Sequence, residues 1–89
     1  MVRMFVRHDV ADYPKWRQAY DAFDAERRRM GVVSHAVYRS AEKDVDVTVT
    51  HDFESLAAAK SFIASQRLRE VMGAAGVVSV PTIWFVTPA

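Results

Sequence analysis

Cysteine is absent from this chain, which excludes disulfides, a thiolate nucleophile and every cysteine-based metal site. Glycine and proline are scarce, three of each, and none falls in a glycine-rich phosphate loop or a flexible linker. Neither a G-x-S-x-G elbow nor an H-E-x-x-H helix occurs, so serine-triad and zinc-protease signatures are missing. Charge of one sign is not in excess: twelve basic and eleven acidic side chains leave a net charge of +1. That balance provides no electrostatic footprint for nucleic acid or an anionic membrane. No apolar run is long enough to span a bilayer and no signal peptide precedes the first strand, so the expected location is cytoplasmic. A nicotinamide or flavin cofactor needs more chain than 89 residues; the expectation is no cofactor and no metal.

What is present is an ordered succession of hydrophobic periods. Apolar residues alternate over residues 2–8, recur at helical spacing over 13–30, and alternate twice more across 32–53. Helical spacing returns at 56–75, and a last apolar run closes the chain at 80–86. The order is βαββαβ in one domain over residues 1–89, an α+β chain with a four-stranded sheet. Asp12 is suited to cap the first helix and Pro14 to sit in its first turn. That helix runs to Met30 and stops at Gly31, with an apolar stripe of Trp16, Ala19, Tyr20, Phe23 and Met30. The basic run Arg27-Arg28-Arg29 reads as cations at the negative end of the helix dipole. Ser55 caps the second helix, Ser65 restarts it, and Pro81 suits an edge strand.

The faces of the central hairpin follow from parity. A loop centred on Lys43 sets Val37 beside Val49, Val33 beside Phe53 and His35 beside His51, all on a valine-rich face that meets the helices. The opposite face carries Ser34, Ala36, Tyr38, Thr48 and Thr50, extended by Phe5 and Trp84. Helices on one side leave this face bare, and a domain so small buries only about 60–65% of the surface its unfolded chain exposes. A second copy of the chain packed on that face supplies the missing burial.

Four segments carry a resemblance: Asp12-Tyr13-x-x-Trp16, Thr50-His51-Asp52-Phe53-Glu54-Ser55, Leu68-Arg69-Glu70-Val71-Met72 and Gly76-Val77. In these the chain resembles the dimeric α/β-barrel superfamily, whose ferredoxin-like subunits pack sheet against sheet. Within it, the chain looks most like the antibiotic-biosynthesis monooxygenases and related polyketide cyclases. The resemblance implies a ligand pocket inside each subunit, between helices and sheet, and a homodimer through the open sheet face. Members include cofactor-independent oxygenases, cyclases, isomerases and haem-binding proteins, so the fold does not choose a reaction.

The residues able to carry chemistry are few. His35 and His51 lie side by side on the helix-facing surface, and His8 shares that surface nearer Val45 and Val47. Half-buried imidazoles satisfied by backbone or hydroxyl partners account for this pattern. A role as acid–base or ligand-orienting groups is the second reading, since imidazole titrates near neutrality. Two histidines without a nearby carboxylate make an incomplete metal set. Trp16 and Tyr20 are either core or a planar wall for a flat ligand, and Asp24 is either solvated or at the pocket mouth. The expected function is a small cofactor-independent oxygenase or cyclase acting on an aromatic or polyketide-like molecule. His51 and His35 would deprotonate or orient it, while Trp16, Tyr20 and His8 bind it. A non-catalytic ligand-binding or interaction homodimer is the alternative, favoured if apolar side chains fill the space between helices and sheet.

Overall fold

A computed structural model describes residues 1–89. Strand β1 (Val2–Asp9) leads into helices α1 (Tyr13–Ala22) and α2 (Asp24–Arg29). The hairpin β2 (Ser34–Arg39) and β3 (Asp46–Phe53) follows, then α3 (Leu56–Ala64), α4 (Gln66–Ala74) and β4 (Thr82–Val86). The sheet is antiparallel with strand order β2-β3-β1-β4, the ferredoxin-like arrangement. No helix is long and apolar enough to cross a membrane.

The hairpin has the register that parity requires: His35 pairs with His51 and Val37 with Val49. Strand β1 sets Met4 beside His51 and His8 beside Val47. Val2, Met4, Val6 and His8 are buried, whereas Arg3, Phe5 and Arg7 point to the other face. The caps are also where the sequence signals put them. The Asp12 carboxylate accepts from the Lys15 N–H at 3.2 Å, and the Ser55 hydroxyl from Ala58 at 3.1 Å. The Ser65 hydroxyl accepts from Leu68 at 3.3 Å, so it ends α3 and begins α4.

Three expectations are corrected. The helix expected over 13–30 is two helices, broken at Phe23 (φ −85°, ψ 0°). Tyr20 and Trp16 pack in one apolar cluster while Phe23 packs in another, and the break lets the chain serve both. Val33, expected opposite Phe53, is 55% exposed. Gly31, at φ 98°, turns the chain so that Val32 takes the inward place, and β2 begins only at Ser34. The third correction concerns the open sheet face, which is not only small and hydroxylated. Arg3 is bonded through two nitrogens to Asp52 (2.7 and 3.2 Å) and Arg7 likewise to Asp46 (3.0 and 2.6 Å). Those pairs flank a central row of Ala36, Thr50, Phe5 and Trp84, in which the Phe5 and Trp84 rings stack at 5.0 Å.

Candidate functional site

The core is divided. One cluster gathers Met4, Phe53 and Phe62 with Phe23 and Leu68; the other gathers Val10, Val47 and Val49 with Trp16 and Tyr20. A polar seam of His8, His51 and Arg27 lies between them, and there the packing leaves a cavity of about 50 Å³. His8 and His51 reach it from adjacent strands, Trp16 and Tyr20 from α1, and Arg27 from α2. Leu68, Val71 and Met72 of α4 close the top.

His51 is 6% exposed and His8 5%, and the Nδ1 atom of each is buried without a hydrogen-bond partner. Desolvation pushes the His51 imidazole down to about 3, with further lowering from the Arg27 charge. Burial lowers His8 as well. Both rings are therefore neutral at pH 7. The His51 ring packs 5.1 Å from that of Phe62, and His8 meets Trp16 edge-on at 5.7 Å.

Tyr20 connects the cavity to the outside. Its ring stacks on Trp16 at 5.0 Å, and its hydroxyl is hydrogen-bonded to His35 Nδ1. On its other side His35 Nε2 meets Asp24 Oδ1 at 2.9 Å. A carboxylate only accepts, so Nε2 carries a proton; in the neutral imidazole Nδ1 offers its lone pair and the Tyr20 hydroxyl donates to it. Burial pushes the Tyr20 hydroxyl up to about 12, so it is held as the neutral phenol. The Asp24 carboxyl is lowered, first by the His35 bond and then by Arg28.

The structure thus brings His51, His8, Trp16 and Tyr20 around one space. His35 lies behind Tyr20, paired with His51 at a ring distance of 6.3 Å but outside the cavity lining. No three His, Asp or Glu side chains converge as a metal site would require. Arg27 lies in the last turn of α2 with Arg28 and Arg29, where the dipole favours cations, but unlike them it is buried, at 2% exposed. Its Nη2 donates to the Tyr20 carbonyl at 2.6 Å and its Nη1 to Asp24 Oδ1 at 3.2 Å. The signal was available: Tyr20, Phe23, Arg27 and Met30 follow one another at helical spacing, so Arg27 falls on the inner stripe.

No protein-family model matches the sequence, and no curated protein matches it either. Solved structures do. SnoaB, a cofactor-independent oxygenase from Streptomyces nogalater, superposes with a TM-score of 0.80 at 18% identity, over 99% of this chain and 92% of its own. The monooxygenase of the gene ActVA-Orf6 of Streptomyces coelicolor, solved with nanaomycin D, gives 0.72 at 20% identity, over 99% and 87%. A further antibiotic biosynthesis monooxygenase gives 0.76 at 8% identity, over 100% and 99%.

The fold is that of the antibiotic biosynthesis monooxygenases. At such identities the likeness extends to the backbone path and not to the role of any side chain. Within this fold, the present chain lines its cavity with a polar seam of its own, His8, His51, Tyr20 and Arg27.

Proposed function

We propose that this protein is a cofactor-independent oxygenase acting on a flat phenolic or enolic molecule of the aromatic or polyketide-like class. The observation that carries the reading is the Tyr20–His35–Asp24 chain, which links the wall of a buried cavity to a partly exposed imidazole. A substrate hydroxyl donates its proton to the Tyr20 oxygen as Tyr20 passes its own to His35. Asp24 stabilises the imidazolium that results. Tyr20 is neutral before and after, consistent with its raised pKa. His51, neutral and lining the cavity, orients the substrate, and Trp16 stacks on it.

The phenolate or enolate gives one electron to dioxygen, and the resulting carbon radical and superoxide join in a new C–O bond. The peroxide takes up the proton released earlier. Loss of water then leaves a carbonyl on the substrate carbon, so one dioxygen yields one quinone oxygen and one water. Attack of the same enolate on a neighbouring carbonyl would instead close a ring, the cyclase outcome.

The small cavity favours a second reading. Pockets for ligands of drug size run to roughly 300–1,000 Å³, against about 50 Å³ here. A multi-ring substrate therefore has to displace α4, whose Leu68, Val71 and Met72 form the roof and whose hinge is the non-helical Ser65. If α4 does not yield, the protein is a non-catalytic interaction dimer.

Dissolved-oxygen measurements with a series of hydroxylated naphthalenes and anthracenes, in metal-free buffer, test the reading. Oxygen uptake with one quinone formed per dioxygen supports it. Tyr20→Phe and His35→Gln should each lower turnover by about 100-fold or more. Ring closure without oxygen uptake selects the cyclase. Absence of any reaction, with no thermal stabilisation by any member of the series, selects the interaction dimer.

A further inference from the structure

Arg27 is the one arginine or lysine that the fold buries. A buried cation is stable only where other charges and hydrogen bonds compensate it. Its nearest carboxylate, Asp24, is 40% exposed and is shared with His35 and Arg28. The two hydrogen bonds that Arg27 makes, to Asp24 and to the Tyr20 carbonyl, leave three of the five guanidinium N–H groups without an assigned protein acceptor.

The cavity beside it is unevenly equipped. The titratable side chains around it are His8 from β1, Tyr20 from α1, Arg27 from α2 and His51 from β3, with Asp24 and His35 behind Tyr20. Helices α3 and α4 contribute only apolar groups. No acidic side chain lines the space, and two buried imidazole nitrogens beside it, His8 Nδ1 and His51 Nδ1, lack partners. Unpartnered buried polar groups are costly, so polar side chains turned toward one cavity favour a polar occupant over an apolar one. A neutral apolar occupant would leave all of these groups unsatisfied.

We infer that the cavity selects its ligand as an anion: a flat ring bearing an ionised hydroxyl, with the oxyanion on the Arg27 guanidinium and an imidazole of His8 or His51 on a neighbouring polar group. This rests on the cavity being the ligand site and deepens that reading. It assigns to Arg27 the stabilisation of the oxyanion formed when the substrate loses its proton, and it makes acidic phenols the preferred substrate class. A guanidinium in a dry site acts on charge far more strongly than in water.

A binding experiment tests the inference without turnover. The probe is 4-nitrophenol, a single ring whose phenolate is coloured, compared with its methyl ether 4-nitroanisole. With the wild-type protein near pH 6, binding should raise the phenolate absorbance, corresponding to a fall of about one unit or more in the apparent pKa of the probe. Each unit is a tenfold preference for the anion. The ether should bind at least about tenfold more weakly. Arg27→Met should abolish the spectral shift and remove the preference for the phenol over the ether, and Arg27→Lys should restore part of the shift. The comparison of the two probes on wild-type protein stands even if a variant fails to fold. Binding of 4-nitrophenol as the neutral form overturns the inference alone, as does a shift that persists in Arg27→Met; Arg27 is then only a latch on the helix break. Failure of both probes to bind the wild-type protein overturns the inference together with the ligand-site reading beneath it.

Discussion

The guanidinium of Arg27 lies 3.9 Å from the centre of the Tyr20 ring while its Nη2 donates to the carbonyl of that same residue at 2.6 Å. One side chain of α2 thus clamps both the ring and the backbone of a residue in α1, across the break at Phe23. The clamp fixes the ring whose hydroxyl meets His35, so the helix break and the candidate site are one construction.

This arrangement distinguishes lysine from methionine at position 27. A lysine keeps the charge buried but loses the planar fork that reaches Asp24 and the Tyr20 carbonyl together. Methionine removes the desolvation cost and keeps much of the length. Arg27→Lys should therefore be less stable than Arg27→Met, by about 1–2 kcal/mol. Urea denaturation at equal protein concentration measures the difference, and a lysine variant as stable as wild type would contradict the clamp.

Stability should fall as the solution is acidified through the histidine range. The folded state holds His51 at about 3 against an ordinary value of 6.5, so between those values the unfolded chain binds the extra proton. The stabilisation is complete above pH 6.5 and is lost progressively as pH falls toward 3. His8, also lowered by burial, adds to the loss with the same sign. The His51 contribution alone amounts to about 2 kcal/mol between pH 7 and pH 5. That interval lies above the range where the lowered carboxyls of Asp46 and Asp52 contribute. His51→Phe should leave only the His8 share of the slope in chemical denaturation at the two pH values. An unchanged slope would mean that His51 is already accessible to protons in the folded protein.

The fold was legible because its signals are local and agree with one another. The alternation in β1, the caps Asp12, Ser55 and Ser65, and the parity that pairs His35 with His51 each specify the same arrangement. The site was legible in part. Trp16, Tyr20, His8 and His51 stand out as large or titratable residues on inward positions, and all four line the cavity. Arg27 was hidden by composition, because a basic run near a helix end satisfies the dipole rule and conceals an inward position. The Asp24–His35–Tyr20 chain was hidden for a different reason. It joins a residue of α1 to one of α2 and one of β2, across a helix break at Phe23 that neither glycine nor proline signals. The same long-range character conceals Arg3–Asp52 and Arg7–Asp46, which depend on the β1–β3 register.

Trp16 discriminates core from ligand wall. It is 3% exposed and touches Tyr20, His8 and Tyr13 through its ring. Trp16→Ala should cost about 3–5 kcal/mol. Trp16→Phe, which keeps a ring against Tyr20, should cost less than half of that in the same denaturation experiment. An alanine variant that loses little stability but no longer binds 4-nitrophenol would identify Trp16 as a wall of the ligand site rather than part of the core.

The open sheet face should pair with a second copy of the chain. Trp84 is 40% exposed and ends the row formed by Ala36, Thr50 and Phe5, and Tyr38, in the next row beside Thr48, is 58% exposed. Arg3 and Arg7 have their carboxylate partners within the same face, so covering it need not strand an unpaired charge. Obligate homodimers bury roughly 2,000 Å² or more in total, and this face, running across all four strands, is the broad surface left uncovered by helices. Light scattering at micromolar concentration should give twice the 10.1 kDa chain mass. Thr48→Arg places a second guanidinium directly opposite Arg7, where Asp46 is already engaged, and should shift the protein toward monomer. A wild-type mass of 10.1 kDa at that concentration would leave the face without its partner. A Thr48→Arg variant that remains fully dimeric would move the interface elsewhere on the molecule.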